Sequence, residues 1–122
     1  MSKFTVGYVN IGVRDFKKAL EFYRDVLGLP LRFADESFHY ASFDGGAVPF
    51  AIAGGDEGKV GAREDKHTGI GFCVDDVDAA HRELAAKGVR FTMLPSKQPW
   101  GGYMALFADP DGNIFYLDTV PA

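Results

Sequence analysis

Three histidines, one cysteine and a scatter of carboxylates are the side chains in this 122-residue chain that could bind a metal, move a proton or act as a nucleophile. His67, in KHTGIGF, has no carboxylates clustered around it in sequence, and a metal site needs several donors. A polar contact or a plain surface position is therefore expected there. His39 sits between Phe38 and Tyr40, on the opposite face if that stretch is a strand, and His81 lies beside the apolar stripe of a helix; both read as structural. Cys73 has no identifiable basic neighbour to lower its pKa and is expected to be a small apolar filler. The acids Asp75, Asp76 and Asp78 crowd the first turn of a helix, where carboxylates cap backbone N–H groups and complement the helix dipole. Asp118 alternates onto the same side as Ile114 and Tyr116 but has no evident partner. The stretch GGDEGKV fails as a phosphate loop, because Ala53 holds the place of the first glycine and Val60 that of the Ser/Thr after lysine. No catalytic residue is nominated.

These residues are carried by a pattern that occurs twice. The run VGYVNIGV alternates with period two, with Val9, Ile11 and Val13 on one face and Val6, Tyr8 and Asn10 on the other, which predicts a half-buried strand. Asp15 stands at an N-cap position; Phe16, Ala19, Leu20, Tyr23 and Leu27 follow at helical spacing, and Gly28 ends the helix. About 61 residues on, Ile70, Phe72 and Val74 repeat the strand, Asp76 repeats the cap, and Gly88 repeats the stop. Strand-like material completes each half: PLRFADE, FHYASFDG and VPFAIAG in the first, RFTML, GYMALFAD and NIFYLDT in the second. The chain thus reads β-α-β-β-β twice, an α+β fold organised as one domain of two modules, 1–53 and 67–122. Between them, 54–66 is a polar, glycine-rich linker. In ADPDGN, proline, glycine and aspartates specify a tight turn.

Composition bounds the function. A formal net charge of −4 and a pI near 5.2, without a Lys/Arg cluster, argue against a nucleic-acid or anionic-membrane surface. The start MSKFTVGYVN lacks the apolar core of a signal peptide, and the single Cys73 suits a reducing compartment, so a cytoplasmic protein is expected. Aromatic residues reach 14 %, including 11 Phe, 5 Tyr and 1 Trp. Trp100, in the loop SKQPWGG, is hard to account for by core packing alone.

Duplicated βαβββ units with a V-x-D before each helix, VRD at 13–15 and VDD at 74–76, a Gly-terminated helix and a closing DPDGN turn resemble the vicinal oxygen chelate superfamily of glyoxalases, extradiol dioxygenases and bleomycin-resistance proteins. The resemblance implies two modules forming a cupped mixed β-sheet with helices on the outer face. It also implies that metal-dependent members take ligands from positions that here fall on Tyr8, Ala51, Gly69 and Tyr116. None of these is a usual donor for a divalent metal, so no metal or other cofactor is expected.

With the cavity face anchored on those positions, Tyr8, Asn10 and Tyr116 face it, and Phe38 and Tyr40 form one further row. Phe91, Met93, Tyr103, Ala105 and Phe107 could follow; Phe91 and Phe107 could equally fill core. The W-G pair, the aromatic strand and the D-P-x-G-N turn are similar to the bleomycin-resistance proteins, which implies a homodimer holding a planar, cationic or aromatic small molecule. The expected ligand-binding set is Tyr8, Asn10, Phe38, Tyr40, His67, Trp100, Tyr103 and Tyr116, without nucleic-acid or membrane partners. The enzyme alternative is a glyoxalase-type lyase, isomerase or dioxygenase with a displaced metal site using His67. A third alternative is a binding partner within a larger assembly.

Overall fold

The computed structural model describes residues 2–54 and 66–119 in two compact units, Met1–Glu64 and Asp65–Ala122. Most of the expected linker 54–66 lies outside the described residues. The first unit runs β1 (Val9–Val13), α1 (Phe16–Glu21, continued by a π turn over Phe22–Val26), β2 (Leu31–Asp35), β3 (Tyr40–Asp44) and β4 (Pro49–Gly54). The second runs β5 (His67–Val74), α2 (Val77–Ala86), β6 (Arg90–Lys97), β7 (Tyr103–Ala108) and β8 (Ile114–Thr119). Each unit is β-α-β-β-β, as the repeat predicts.

The sheets share one topology. Their orders are β1-β4-β3-β2 and β5-β8-β7-β6, with the first pair parallel and the other two antiparallel. The parallel pair follows from the long crossover through the remaining strands, whereas short turns can join only antiparallel neighbours. Asp15 accepts from the Lys18 N–H at 3.1 Å and Asp76 from the Ala79 N–H at 3.0 Å, so both predicted N-caps act as caps. Asp75 has no such role.

Core packing in the first unit explains the π turn. Side chains of Ile11, Ile52 and Ala41 stand side by side on the buried face of the sheet, beneath Phe16, Ala19 and Leu20. An uninterrupted α period would turn one of the consecutive aromatics Phe22 and Tyr23 toward water. The wider turn, closed by the Leu27 N–H on the Phe22 carbonyl at 3.0 Å, keeps both buried. Tyr23 then reaches Phe50 at 5.2 Å and Phe43 at 6.1 Å. In the second unit Phe72, Phe107 and Phe115 form one aromatic cluster, with Phe107 and Phe115 5.7 Å apart and Phe72 5.2 Å from Phe115.

Three local expectations are corrected. Phe38 and His39 do not belong to a strand: residues 36–39 form the β2–β3 turn, and β3 begins at Tyr40. Asp35 makes that turn by accepting from the Ser37 hydroxyl at 2.6 Å and the Ser37 N–H at 3.0 Å. His39 adopts φ 51° and stacks on Phe16 at 5.5 Å. β6 is longer than RFTML and runs through Pro95; proline is tolerated because β6 is an edge strand and one side of its backbone needs no donor. Cys73 is exposed, not a core filler.

The DPDGN turn is held by Asp109, whose carboxylate accepts from the Asp111 N–H at 2.9 Å, the Asn113 N–H at 2.8 Å and the Asn113 amide at 2.9 Å.

Candidate functional site

Strand partners in register project to the same side, so pairing identifies the face of each sheet that its helix leaves open. In the first unit Asn10 stands beside Ala51, Ala51 beside Ser42, and Ser42 beside Phe33; one step along, Ala53 stands beside Tyr40. Phe33 and Tyr40 lie 5.8 Å apart with planes inclined by 33°, and the Tyr40 phenol donates to Asn10 Oδ1 at 3.3 Å. The result is an aromatic pair ending in an amide. Phe33 is 53 % exposed, so the pair presents apolar area to the outside.

In the second unit the open face carries Gly71, Tyr116, Leu106 and Met93 in one row, with Cys73 beside Asp118. Gly69, at φ 74°, lies in the irregular stretch between His67 and Gly71, where β5 gains two residues on β8. Thr68 stabilises this bulge by donating to the Ile114 carbonyl at 2.8 Å and accepting from the Ile70 N–H at 3.1 Å.

The expected ligand residues are distributed as follows. Asn10 and Tyr40 meet. Tyr116 faces the open side of its own sheet. Tyr8 precedes β1 and is 64 % exposed, and Phe38, on its turn, is 80 % exposed. His67 is exposed at the first position of β5, ahead of the bulge. Trp100 is 73 % exposed on the β6–β7 turn. Tyr103 lies on the helix side: its phenol donates to Asp78 Oδ1 on α2 at 2.6 Å, so Asp78 serves this bond as well as the helix dipole. That hydrogen bond, and the charge beside it, push the Tyr103 phenol above its ordinary pKa. Phe91 and Phe107 resolve to the core side as well; Phe91 meets the His81 ring edge-on at 4.6 Å, and Phe107 is fully buried.

Three contributors escaped sequence reasoning. Phe33 belongs to the open face, but β2 carries an irregularity between Leu31 and Phe33 that shifts its alternation, so its phase could not be read from period two. Asp78 looked like one more helix-start acid. Gly102, against which the Trp100 indole lies, was signalled only by the doubled glycine after Trp100.

The residues at the family's metal positions do not fit a divalent ion. Ala51 is wholly buried between Asn10 and Ser42, Gly69 contributes no side chain, and Tyr8 and Tyr116 offer only phenol oxygens, poor donors for such an ion. Among the described residues no group of three or more His, Cys, Asp or Glu side chains converges.

Residues 5–117 match the family described as the Glyoxalase/Bleomycin resistance protein/Dioxygenase superfamily, and the chain belongs to it. The chain is also similar to YraH of Bacillus subtilis (strain 168), with 34 % identity over 89 % of this chain and 93 % of YraH. Among solved structures, a superfamily member from Sphaerobacter thermophilus DSM 20745 superimposes with a TM-score of 0.79 at 31 % identity, covering 97 % of this chain and 98 % of its own. TnmS3, an antibiotic binding protein from Streptomyces sp. CB03234, gives a TM-score of 0.78 at 27 % identity over 99 % of both chains.

Proposed function

We propose that this protein binds a planar, aromatic or apolar small molecule without a metal, in the manner of an antibiotic-sequestering member of its superfamily. The carrying observation is the open face of the first unit, where exposed Phe33 and half-buried Tyr40 form an aromatic pair adjoining the Asn10 amide. Such a surface stacks a ring and orients one polar group on it. Each stacking or cation–π contact contributes about 0.5–2 kcal/mol, so a few of them suffice for useful affinity. The likeness to TnmS3 supports this class of ligand, and the net charge of −4 favours a cationic one. The second unit presents aromatic surface of its own at Tyr116 and Trp100. The binding unit is a cytoplasmic homodimer; exposed Phe4, Val6 and Leu94 support a partner copy.

Titration of bleomycin and a panel of planar aromatic antibiotics, followed by the fluorescence of the single tryptophan and by calorimetry, tests the reading. Saturable binding with one site per chain is expected. Silence across the panel in both measurements removes it.

A further inference from the structure

Trp100 is a large apolar side chain on a three-residue hairpin loop, Pro99-Trp100-Gly101, and the loop is braced by backbone hydrogen bonds. The Gly101 N–H donates to the Gln98 carbonyl at 2.9 Å and the Gln98 N–H to the Gly102 carbonyl at 2.7 Å. Pro99 restricts the backbone at the second place of the turn, and Gly101 takes φ 97°, the left-handed residue that such three-residue loops require. Gln98 is itself tied back, its amide donating to the Ser96 carbonyl at 3.1 Å. On the other limb, Tyr103 fastens the start of β7 to α2 through Asp78 at 2.6 Å. The frame under the indole is therefore fixed on both sides.

The indole itself rests against Gly102. A Cβ at that residue would lie 2.8 Å from Trp100 Nε1, 3.4 Å from Cδ1 and 3.7 Å from Cε2, the first being closer than real Cβ contacts allow. Gly102 has no positive φ, so what a Cβ there would disturb is the present place of the indole, not the backbone conformation. We propose that Gly102 is a positioning residue, a seat that holds the Trp100 indole in one orientation as a stacking platform. As a ligand device this rests on the function proposed above, but the seat is a property of the free protein. Pre-ordering a tryptophan removes the rotamer entropy that a planar ligand would otherwise have to offset on binding.

The test is Gly102→Ala in the full chain, read without ligand by near-UV circular dichroism and fluorescence anisotropy of Trp100, under conditions where far-UV dichroism and cooperative melting show a folded protein. The seat predicts a weaker tryptophan near-UV band and a lower anisotropy. It also predicts a roughly three- to tenfold weaker affinity for any panel compound the native protein binds, the size of one aromatic contact. Unchanged dichroism and anisotropy in the variant would overturn the proposal. Should the variant not fold, the native protein decides: an indole N–H order parameter near the rigid-backbone value of about 0.85 upholds the seat, and one under about 0.6 rejects it. A native protein silent to every panel compound would remove the ligand reading while leaving these spectroscopic outcomes decisive for the seat.

Discussion

Tyr40 and Tyr103 differ in almost nothing as residues and in everything by position. Tyr40 donates to an amide at the end of an exposed aromatic pair, whereas Tyr103 donates to the carboxylate of a helix. Replacing Phe33 or Tyr40 by Ala should weaken a bound aromatic ligand roughly two- to tenfold each, the equivalent of about 0.5–1.5 kcal/mol per aromatic contact, with little change in melting temperature; calorimetric titration checks both. Tyr103→Phe removes the tie to α2 and should act on stability. Because its folded pKa is raised by the bond to Asp78, the phenol contributes stability that is complete below the ordinary tyrosine pKa and is lost as pH rises through the higher folded value. Absorbance at alkaline pH should show a late-ionising phenol that is absent in Tyr103→Phe and shifted back downward in Asp78→Asn.

The β2–β3 turn shows how an element boundary depends on one side chain. PLRFADE and FHYASFDG look like two strands meeting at Glu36 and Ser37, yet Asp35 draws Ser37 and the Phe38 N–H into a local turn that delays β3 to Tyr40. The Ser37 hydroxyl, with the backbone N–H groups of Phe38 and Ser37, lowers the Asp35 pKa against the opposing effect of desolvation. A depressed folded value means that this stability is present above the ordinary carboxyl pKa and is lost as pH falls through the lowered one. The melting temperature of Asp35→Ala should accordingly fall below wild type at neutral pH, with the difference closing in acid. A gap that persists unchanged to low pH would show that the charge on Asp35 is not its source.

For the molecule as a whole, a sequence that repeats itself yields two units with the same strand order and the same helix placement. What the repeats no longer share is chemistry: Asn10 corresponds to Gly71, and Ala51 to Tyr116, across the two parallel pairs. Restoring a single donor should not restore a metal. Tyr8→His, purified without chelator, is expected to carry well under one equivalent of Mn, Fe, Ni or Zn by elemental analysis, since Ala51, Gly69 and Tyr116 still withhold the remaining ligands. Stoichiometric metal in either the variant or the native protein would favour a displaced site and the enzyme alternative.

Much of this architecture was legible in the chain because it depends on local rules. Alternation marked the first and fifth strands, Asp15 and Asp76 marked the helix starts, and Asp109 with Asn113 marked the closing turn; each is a short-range hydrogen bond or a periodicity of the backbone. The helix period broke where two aromatics in succession, Phe22 and Tyr23, are both buried, which depends on the tertiary packing around them. Facing was likewise a tertiary matter. Period two tells which residues share a side but not which surface that side meets, and a bulge resets the count, so Phe33 had to be placed by its register with Ser42 and Tyr103 by its bond to Asp78. The sequence by itself determined two βαβββ units and their family, since turns, caps and alternation are written residue by residue. Only the tertiary structure decided which aromatics are surface and which are core, because that depends on what packs against each face of a sheet.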